Sequence, residues 1–461
     1  MKTNSMKTST PNIINEAFSF VNGLSLDKIH GLGVRNSARD FDFIYGYPPI
    51  QMLPRVQESN GVFAKQISEM ISLYIHIPFC SSICSFCYFK KFSLNSEDEV
   101  EKYLLYLNKE IKLLQPILAN KRIHSIFIGG GTPSILTSEQ ISKVWYMVYN
   151  NFTIDSSTEI TFEVSPGTIT PEKLAILKDF GITRISIGIQ SFNDKILEFM
   201  NRDHDASTAI KAVESIRRAG FHNFNVDIIF GCPGQTFDEL MDNLKKVVSL
   251  DIPSITFYQL WAGVDTPIRT VPLNLFPTEK QILVTKQIIK SYMELSGYLR
   301  DKTDWFIKSQ EYKYRQQDHK WSNKDFLGIG LSSYGYFNNY YYRNACDFRT
   351  YFAYLDQGKL PIKFAKQLGA EDTKRRAIIL GIKKQEGLEI AAFQDRYAER
   401  PVNQKSIFAN TIAKLINADI LEFSNGNLRM TYVGYLFGDS VCKVFFSKDA
   451  LDFVQNERLK F

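Results

Sequence analysis

Six short runs rich in β-branched and aromatic residues recur along the chain from residue 73 to residue 258, with helical patterns between them. They are Leu73–Ile77, His124–Ile128, Glu159–Val164, Arg184–Ile189, Asn225–Phe230 and Ser254–Tyr258. Each is too short for a helix and reads as an apolar run, the pattern of a strand buried on both faces. The intervening segments carry helix signals. Ser96–Leu118 opens on a cap residue followed by Glu97, Asp98 and Glu99, then places Val100, Tyr103, Leu104, Leu107, Ile111 and Leu114 on one face. Thr170-Pro171 starts a further helix that Gly181 ends, Ser207–Gly220 repeats the plan, and Thr236–Leu250 is amphipathic. Strands joined by helices imply a parallel sheet with right-handed crossovers. Six β/α units are too few to close an eight-stranded barrel, so the expected fold is α/β, an open partial (β/α)6 barrel.

Around this core the pattern is weaker. Residues 1–12 read as a disordered tail without an apolar stretch of signal-peptide type. Phe41-Asp42-Phe43-Ile44-Tyr45-Gly46-Tyr47-Pro48-Pro49 excludes helix and reads as an extended arm on the main body. Residues 276–298 are helical, and Asp325–Tyr342, rich in Gly and Tyr, reads as a strand and loop. Helical runs at Lys374–Ile382, Ile390–Tyr397 and Gln404–Asn417 precede a hairpin, Ile420–Phe423 and Leu428–Thr431 around Ser424-Asn425-Gly426-Asn427. That combination predicts a small winged-helix-like module. The expected division is 1–70 tail and arm, 71–275 barrel core, 276–370 post-barrel extension and 371–461 C-terminal module. The net charge of +6 is spread over 461 residues without a basic run, which argues against a nucleic-acid partner. No apolar run approaches 18 residues, so no membrane span is expected.

Chemistry is concentrated at the end of the first strand. Three of the six cysteines fall within eight residues, Cys80, Cys84 and Cys87, in the spacing C-x3-C-x2-C. The end of a parallel strand is where ligands of such sheets bind. Three thiolates on one loop suit three irons of a [4Fe–4S] cluster, leaving the fourth iron open to chelate an amine and a carboxylate. A zinc site that recruits His76, four residues before Cys80, is the other reading of the same spacing. Cys232, Cys346 and Cys442 are scattered and read as packing residues.

Further polar or glycine residues fall at strand ends. Gly129-Gly130-Gly131-Thr132 follows the second strand, where glycines let a ligand approach the backbone. Glu163 ends the third strand, Gln190 ends the fourth and is followed by Arg202, and Asp227 lies on the fifth.

The stretch Tyr74–Cys87, Y-I-H-I-P-F-C-x3-C-x-F-C, resembles the opening motif of radical S-adenosylmethionine enzymes, and more narrowly the oxygen-independent coproporphyrinogen III oxidase-like, or HemN-type, family. The likeness runs over about residues 72–445. It implies a radical S-adenosylmethionine barrel whose [4Fe–4S] cluster, on Cys80, Cys84 and Cys87, reduces S-adenosylmethionine to a 5′-deoxyadenosyl radical that abstracts a substrate hydrogen. It also implies roles for single positions. The backbone of Phe86 meets adenine, and Gly129, Gly130, Gly131 and Thr132 hold the methionine amino and carboxylate groups. Arg202 takes the carboxylate, Glu163, Gln190 and Asp227 take other polar groups, and Tyr74 and His76 lie near the cofactor as candidate catalytic residues. A reducing cytoplasm, a monomer and an electron donor such as flavodoxin or ferredoxin are the expected setting.

Three departures bear on the reaction. Phe89 stands where coproporphyrinogen oxidases carry a further cysteine, and their Asn-Phe-Gln-Gly-Tyr-type segment is missing. At the positions of the haem-chaperone motif His-Asn-x-x-Tyr-Trp stand Gln316, Gln317, Lys320 and Trp321, so only the Trp survives, with His319 out of register. The arm Tyr45-Gly46-Tyr47-Pro48-Pro49 is similar to the Tyr-Ser-Tyr-Pro element of class C radical methyltransferases, which use two S-adenosylmethionine molecules. The expectation drawn from these is methyl transfer or C–C bond formation on a planar or unsaturated small molecule. A tetrapyrrole decarboxylase or haem-opening enzyme is the alternative, and a haem chaperone the second. Trp261, Trp321 and Tyr340-Tyr341-Tyr342 are candidates to line a flat-ligand pocket.

Overall fold

A computed structural model describes residues 10–36, 44, 46–57, 62–63, 69–119, 121–263, 266–404 and 406–459. All six expected strands form: β1 (Met70–Ile77), β2 (Arg122–Gly130), β3 (Glu159–Val164), β4 (Arg184–Gln190), β5 (Phe224–Phe230) and β6 (Ser254–Gln259). They pair in parallel in that order. Two antiparallel strands, β7 (Leu299–Lys302) and β8 (Trp305–Ile307), extend the β6 edge. On the other edge, β9 (Phe326–Ile329) pairs in parallel with β1, and β10 (Tyr334–Phe337), β11 (Tyr340–Asn344) and β12 (Ile362–Gln367) continue antiparallel. Among the described residues these twelve strands form one sheet. The strand and loop expected over Asp325–Tyr342 is thus three strands, and the barrel gains a seventh parallel strand from outside the β/α repeat. Alternating Tyr and Gly hid β10 from the period-two pattern.

The crossover helices are α1 (Glu97–Leu118), α2 (Ser138–Tyr149), α3 (Pro171–Asp179), α4 (Ala206–Arg218) and α5 (Phe237–Ser249). Their ends are chemically defined. The Ser96 hydroxyl accepts from Glu99 N, Thr170 caps α3 with Pro171 at its first position, and Thr236 and Glu239 form a capping box. Each cap contributes ~1 kcal/mol. The buried stripe of α1 holds all six apolar residues expected of it.

The strands are buried on both faces but are not apolar on both. Outward residues such as Ile185, Ile187 and Ile189 are fully buried under the helices. The inward positions carry Tyr74, Thr161, Glu163, Arg184, Ser186, Asn225, Asp227, Thr256 and Tyr258, which line cavities inside the sheet. The sequence runs look apolar because the outward isoleucines dominate them.

The N-terminal segment departs from expectation. Residues 1–9 lie outside the described residues, but Thr10–Asn22 is a helix, so the tail does not extend to residue 12. Ile13, Ala17 and Val21, spaced one per turn, are buried against the body. In the arm, residues 41–43 and 45 lie outside the described residues, while Tyr47 is fully buried. Its carbonyl accepts from the buried Arg376, and its hydroxyl bonds Asp372.

The expected helix over 276–298 is α6 (Glu279–Leu295). Short α7 (Arg315–Trp321) follows, then α8 (Phe348–Asp356). The C-terminal module has α9 (Ala370–Gly381), α10 (Ile390–Tyr397), α11 (Ala409–Asn417) and a three-stranded sheet that contains the hairpin Leu421–Ser424 and Asn427–Met430. The helix expected from Gln404 begins five residues later. No helix among the described residues is long and apolar enough to cross a membrane.

Candidate active site

The cysteine loop leaves β1 at Ile77 and is held from two sides. Gly131 N donates to Ile77 O (2.8 Å) and Thr132 N to Phe79 O (2.7 Å), so the glycine loop after β2 lies on the loop's first residues. No side chain fits there. A Cβ on Gly131 would stand 2.4 Å from Phe79 O and 2.9 Å from Cys80 Sγ, and one on Gly129 would meet Glu163 Oε2 at 2.5 Å. The second support is the turn after β4. Ser81 donates to Asp203 Oδ2 (2.7 Å), Asn201 Nδ2 to Ile83 O (2.8 Å) and Ser85 N to Met200 O (3.0 Å).

These loops enclose a cavity of about 280 Å3 at the carboxyl ends of the parallel strands. Cys80, Cys84, Phe86, Cys87, Gly130, Gly131, Thr132, Glu163, Gln190, Arg202 and Asp227 all line it. Residues from six segments spread over 148 positions of sequence therefore meet at one place. Gly129 lies behind this wall, against Glu163. Tyr74 faces a different cavity, deeper in the barrel.

His76 is buried and held at both ring nitrogens. Lys90 O accepts from Nε2 (3.1 Å), so Nε2 carries the proton and Nδ1 accepts from the Tyr74 hydroxyl (3.0 Å). Burial, chiefly, holds its pKa down to about 4, and the ring is neutral. Neither nitrogen is left for a metal, which removes the zinc site of three cysteines and His76. The Tyr74–His76 pair is instead a hydrogen-bonded relay from the barrel interior to the cysteine loop.

The electrostatics of the cavity favour a cationic occupant near the carboxylates. Burial pushes the Glu163 carboxyl up to about 8, against the Gly130 N–H that it accepts at 2.9 Å and with Asp227 adding repulsion. Asp227 is raised to about 6, again mainly by burial. An ammonium or sulfonium beside them would restore both charges. Burial also raises the thiols of Cys80, to about 11, and Cys87. Such thiols ionise when a metal supplies the positive charge, as iron does.

Gln190 Oε1 and Arg202 Nε are buried here without a hydrogen-bond partner among the described residues. Gln190 also has a left-handed backbone, φ 72°, at the end of β4. Backbone strain and unmet polar atoms coincide at ligand sites. Arg202 is aimed by Gly188 O (2.6 Å) and Ser165 Oγ (3.1 Å), with Nη1 3.1 Å from Cys84 Sγ. Its remaining N–H and the Gln190 carbonyl suit the carboxylate and ammonium of an amino acid placed beside the cysteines. The residues present therefore fit a thiolate-held cluster with a methionine-type ligand.

Sequence reasoning missed Asp203. It anchors Ser81 and accepts from Ser165 (3.3 Å), and its hydrogen bond to His204 holds its carboxyl well below the usual range. The polar run Asn201-Arg202-Asp203-His204 directly after a strand and short helix was the available signal.

Below Glu163 and Asp227 lies a second cavity of about 190 Å3, which shares those residues, Ser186, Tyr258 and Phe89 with the first. Its floor includes Gln316, Gln317, Lys320 and Trp321 from α7. Of the aromatic candidates, Trp261 lines the upper cavity and Trp321 the lower. Tyr341 and Tyr342 do neither: they are buried in the sheet, Tyr341 beside Arg376 and Tyr342 with its hydroxyl on Gly328 N.

Comparison with known proteins bears on both regions. Residues 74–247 match the family model of the radical SAM superfamily, and residues 368–437 that of the HemN C-terminal domain. The heme chaperone HemW of Bacillus subtilis (strain 168) is 30% identical over 385 residues, spanning 82% of this chain and 99% of that protein. The oxygen-independent coproporphyrinogen III oxidase of Helicobacter pylori (strain J99) is 28% identical over 79% of this chain and 83% of its own. The solved structure of coproporphyrinogen III oxidase (HemN) from Escherichia coli superposes with a TM-score of 0.77, at 23% identity, over 89% of this chain and 100% of that one.

Proposed function

The chain belongs to the radical S-adenosylmethionine superfamily, in its HemN-type family, and on that premise we propose that it is an enzyme acting on a tetrapyrrole by radical C–H chemistry. Members of the superfamily bind a [4Fe–4S] cluster and S-adenosylmethionine. The observation that carries the assignment here is the convergence of three thiols, Arg202 and two charge-starved carboxylates on one cavity. Cys80, Cys84 and Cys87 are its cluster ligands. Bound together, cluster and S-adenosylmethionine supply a 5′-deoxyadenosyl radical.

The protein's own contribution is positioning. Arg202 and the glycine loop take the methionine carboxylate, and Gln190 Oε1 and the ionised Glu163 face the positive groups. Gly130 and Gly131 let the ligand reach the backbone, Gly129 leaves room for Glu163 behind them, and Phe86 walls the adenine side. Tyr74 and His76 hold the floor of this site rigid from below.

The tetrapyrrole class is supported by two relatives, one named for haem and one for coproporphyrinogen. Methyl transfer receives no support from these relatives. The departure at Phe89 remains, since it lines the passage between both cavities where the oxidases carry a cysteine. A haem-carrier reading is favoured by the length of the match to HemW but opposed by Gln316, Gln317 and Lys320 at the positions of that branch's motif.

Anaerobic reconstitution tests these readings. The expected result is a brown protein with about 4 Fe per chain that forms 5′-deoxyadenosine on reduction. Product formation should rise when coproporphyrinogen III or haem is added, with loss of the tetrapyrrole. Stoichiometric haem binding with a full cluster and no cleavage of S-adenosylmethionine would make it a carrier instead.

A further inference from the structure

Each thiol of the cysteine loop has its own polar neighbour. Thr132 Oγ1 donates to Cys80 Sγ at 3.6 Å, and Arg202 Nη1 to Cys84 Sγ at 3.1 Å. Cys87 has Lys91. The Lys91 ammonium donates to the Cys87 carbonyl and to Phe89 O (3.3 Å), so the chain turns back and sets a charge beside the third thiol. Burial raises that thiol, and the strongest influence against it is the Lys91 charge, which reaches Cys80 as well.

The turn is built to hold this residue. On one side Lys90 O accepts from His76 Nε2 (3.1 Å), and on the other Phe92 N donates to Pro78 O (2.7 Å), so both neighbours of Lys91 are tied to β1 and its exit. Lys91 and Arg202 are the two cations lining the upper cavity, and Lys91 does not reach the lower one. Arg202 already has a carboxylate to bind. The acids of the cavity are engaged elsewhere. Glu163 accepts from Gly130 N, Asp227 from Asn225 Nδ2 (2.7 Å), and Asp203 from Ser81 and Ser165, and none of them pairs with Lys91 among the described residues. Lys90 differs: it is exposed, with its ammonium over the Phe92 ring, 5.1 Å from the centroid.

Reduction adds one electron, and so one negative charge, to a cluster already held by three thiolates. Water screens that charge poorly in a partly buried site, so a fixed cation beside a ligand stabilises the reduced form more than the oxidised one. Charge and hydrogen bonding at the sulfurs set the potentials of such clusters. We propose that Lys91 tunes the cluster on Cys80, Cys84 and Cys87: its ammonium, held by the Cys87 and Phe89 carbonyls, raises the reduction potential, so that the electron enters more readily. Lys91 acts through Cys87 and is a positioning residue, not a catalytic one. The inference rests on the cluster reading of the upper cavity and is independent of the substrate.

The test is an anaerobic redox titration of the reconstituted full chain. Dithionite is the electron donor, the reduced cluster is read by electron paramagnetic resonance, and S-adenosylmethionine and tetrapyrrole are left out. Lys91→Met should keep about 4 Fe per chain and lose at least tenfold in the reduction equilibrium, a shift to more negative potential of about 59 mV. Lys91→Gln, which keeps N–H donors for the two carbonyls without the charge, should shift with it. Lys91→Arg and Lys90→Met should both stay within about threefold of wild type, less than half that shift. The proposal is overturned by an unchanged potential in Lys91→Met, by a wild-type potential in Lys91→Gln, or by an equal shift in Lys90→Met. If Lys91→Met loses its iron, Lys91→Gln decides. Loss of iron from both uncharged variants makes Lys91 an assembly residue and overturns the proposal as well. A wild-type chain that takes up no iron ends the cluster reading itself, whereas a full cluster with one potential across the whole set keeps that reading and ends this inference.

Discussion

The two cavities inside the barrel share a wall of Glu163, Asp227, Ser186 and Tyr258, yet they are built differently. The upper one is made by loops at strand ends, where backbone groups, glycines and thiols are aimed by short-range bonds such as Gly131 N to Ile77 O. The lower one is made by side chains on inward strand faces and by α7, which approaches from beyond the barrel. Loops at strand ends are free to carry chemistry because the sheet beneath them supplies the stability. Inward strand positions must also pack, so their residues serve two purposes and form no compact motif.

The largest effect that would sharpen the contrast is Cys84→Ala. It should reduce cluster iron from about 4 per chain to a small remainder and abolish 5′-deoxyadenosine formation together. Retained cleavage at full rate would break the assignment of the upper cavity. Next is Arg202→Ala, where the loss of a charged hydrogen bond worth about 1.5–3 kcal/mol predicts roughly 10- to 100-fold weaker S-adenosylmethionine binding. Equilibrium dialysis with iron analysis on the same sample checks that the cluster stays.

The two cavities should also respond to pH with opposite sign. Glu163 is raised in the folded protein from 4.5 to about 8. Between those values the folded state holds a proton that the unfolded state has released, so stability falls as pH rises. Thermal melts from pH 5 to 8 should show that slope in the cofactor-free protein and a flatter one in Glu163→Gln. Lys320 is lowered from 10.5 to about 7, so between those values the unfolded chain holds the extra proton and stability rises with pH. Lys320→Met should flatten melts between pH 7 and 9. This effect should be the smallest, because the Lys320 side chain is only half-buried and solvent screens part of the cost. Changes of slope of the same sign in the two variants, relative to wild type, would break the comparison.

Legibility followed the same division. The six strands were readable because each is anchored by outward β-branched residues at period two, as in Ile185, Ile187 and Ile189. The helices were readable from caps and stripes, although the helix predicted from Gln404 begins at Ala409. Of the residues expected at the cofactor, all but Gly129, Tyr74 and His76 line the upper cavity. Tyr74 and His76 sit in the strand that leads into the motif but point where the pleat sends them, three residues and one residue before its end at Ile77. The parallel pairing of β9 with β1 and the assembly of the lower chamber were not readable, since both depend on segments more than 200 residues from β1 coming back to it.

What the sequence by itself determined is the chemistry at strand ends: C-x3-C-x2-C, a glycine loop, and Arg202 after the fourth strand are local patterns whose spacing survives any packing. Only the tertiary structure decided which polar groups are left unmet inside the barrel. Whether Lys320 finds an acid, Trp321 Nε1 an acceptor or His76 a free nitrogen depends on side chains brought together across the whole chain, and burial sets the cost of each unmet group.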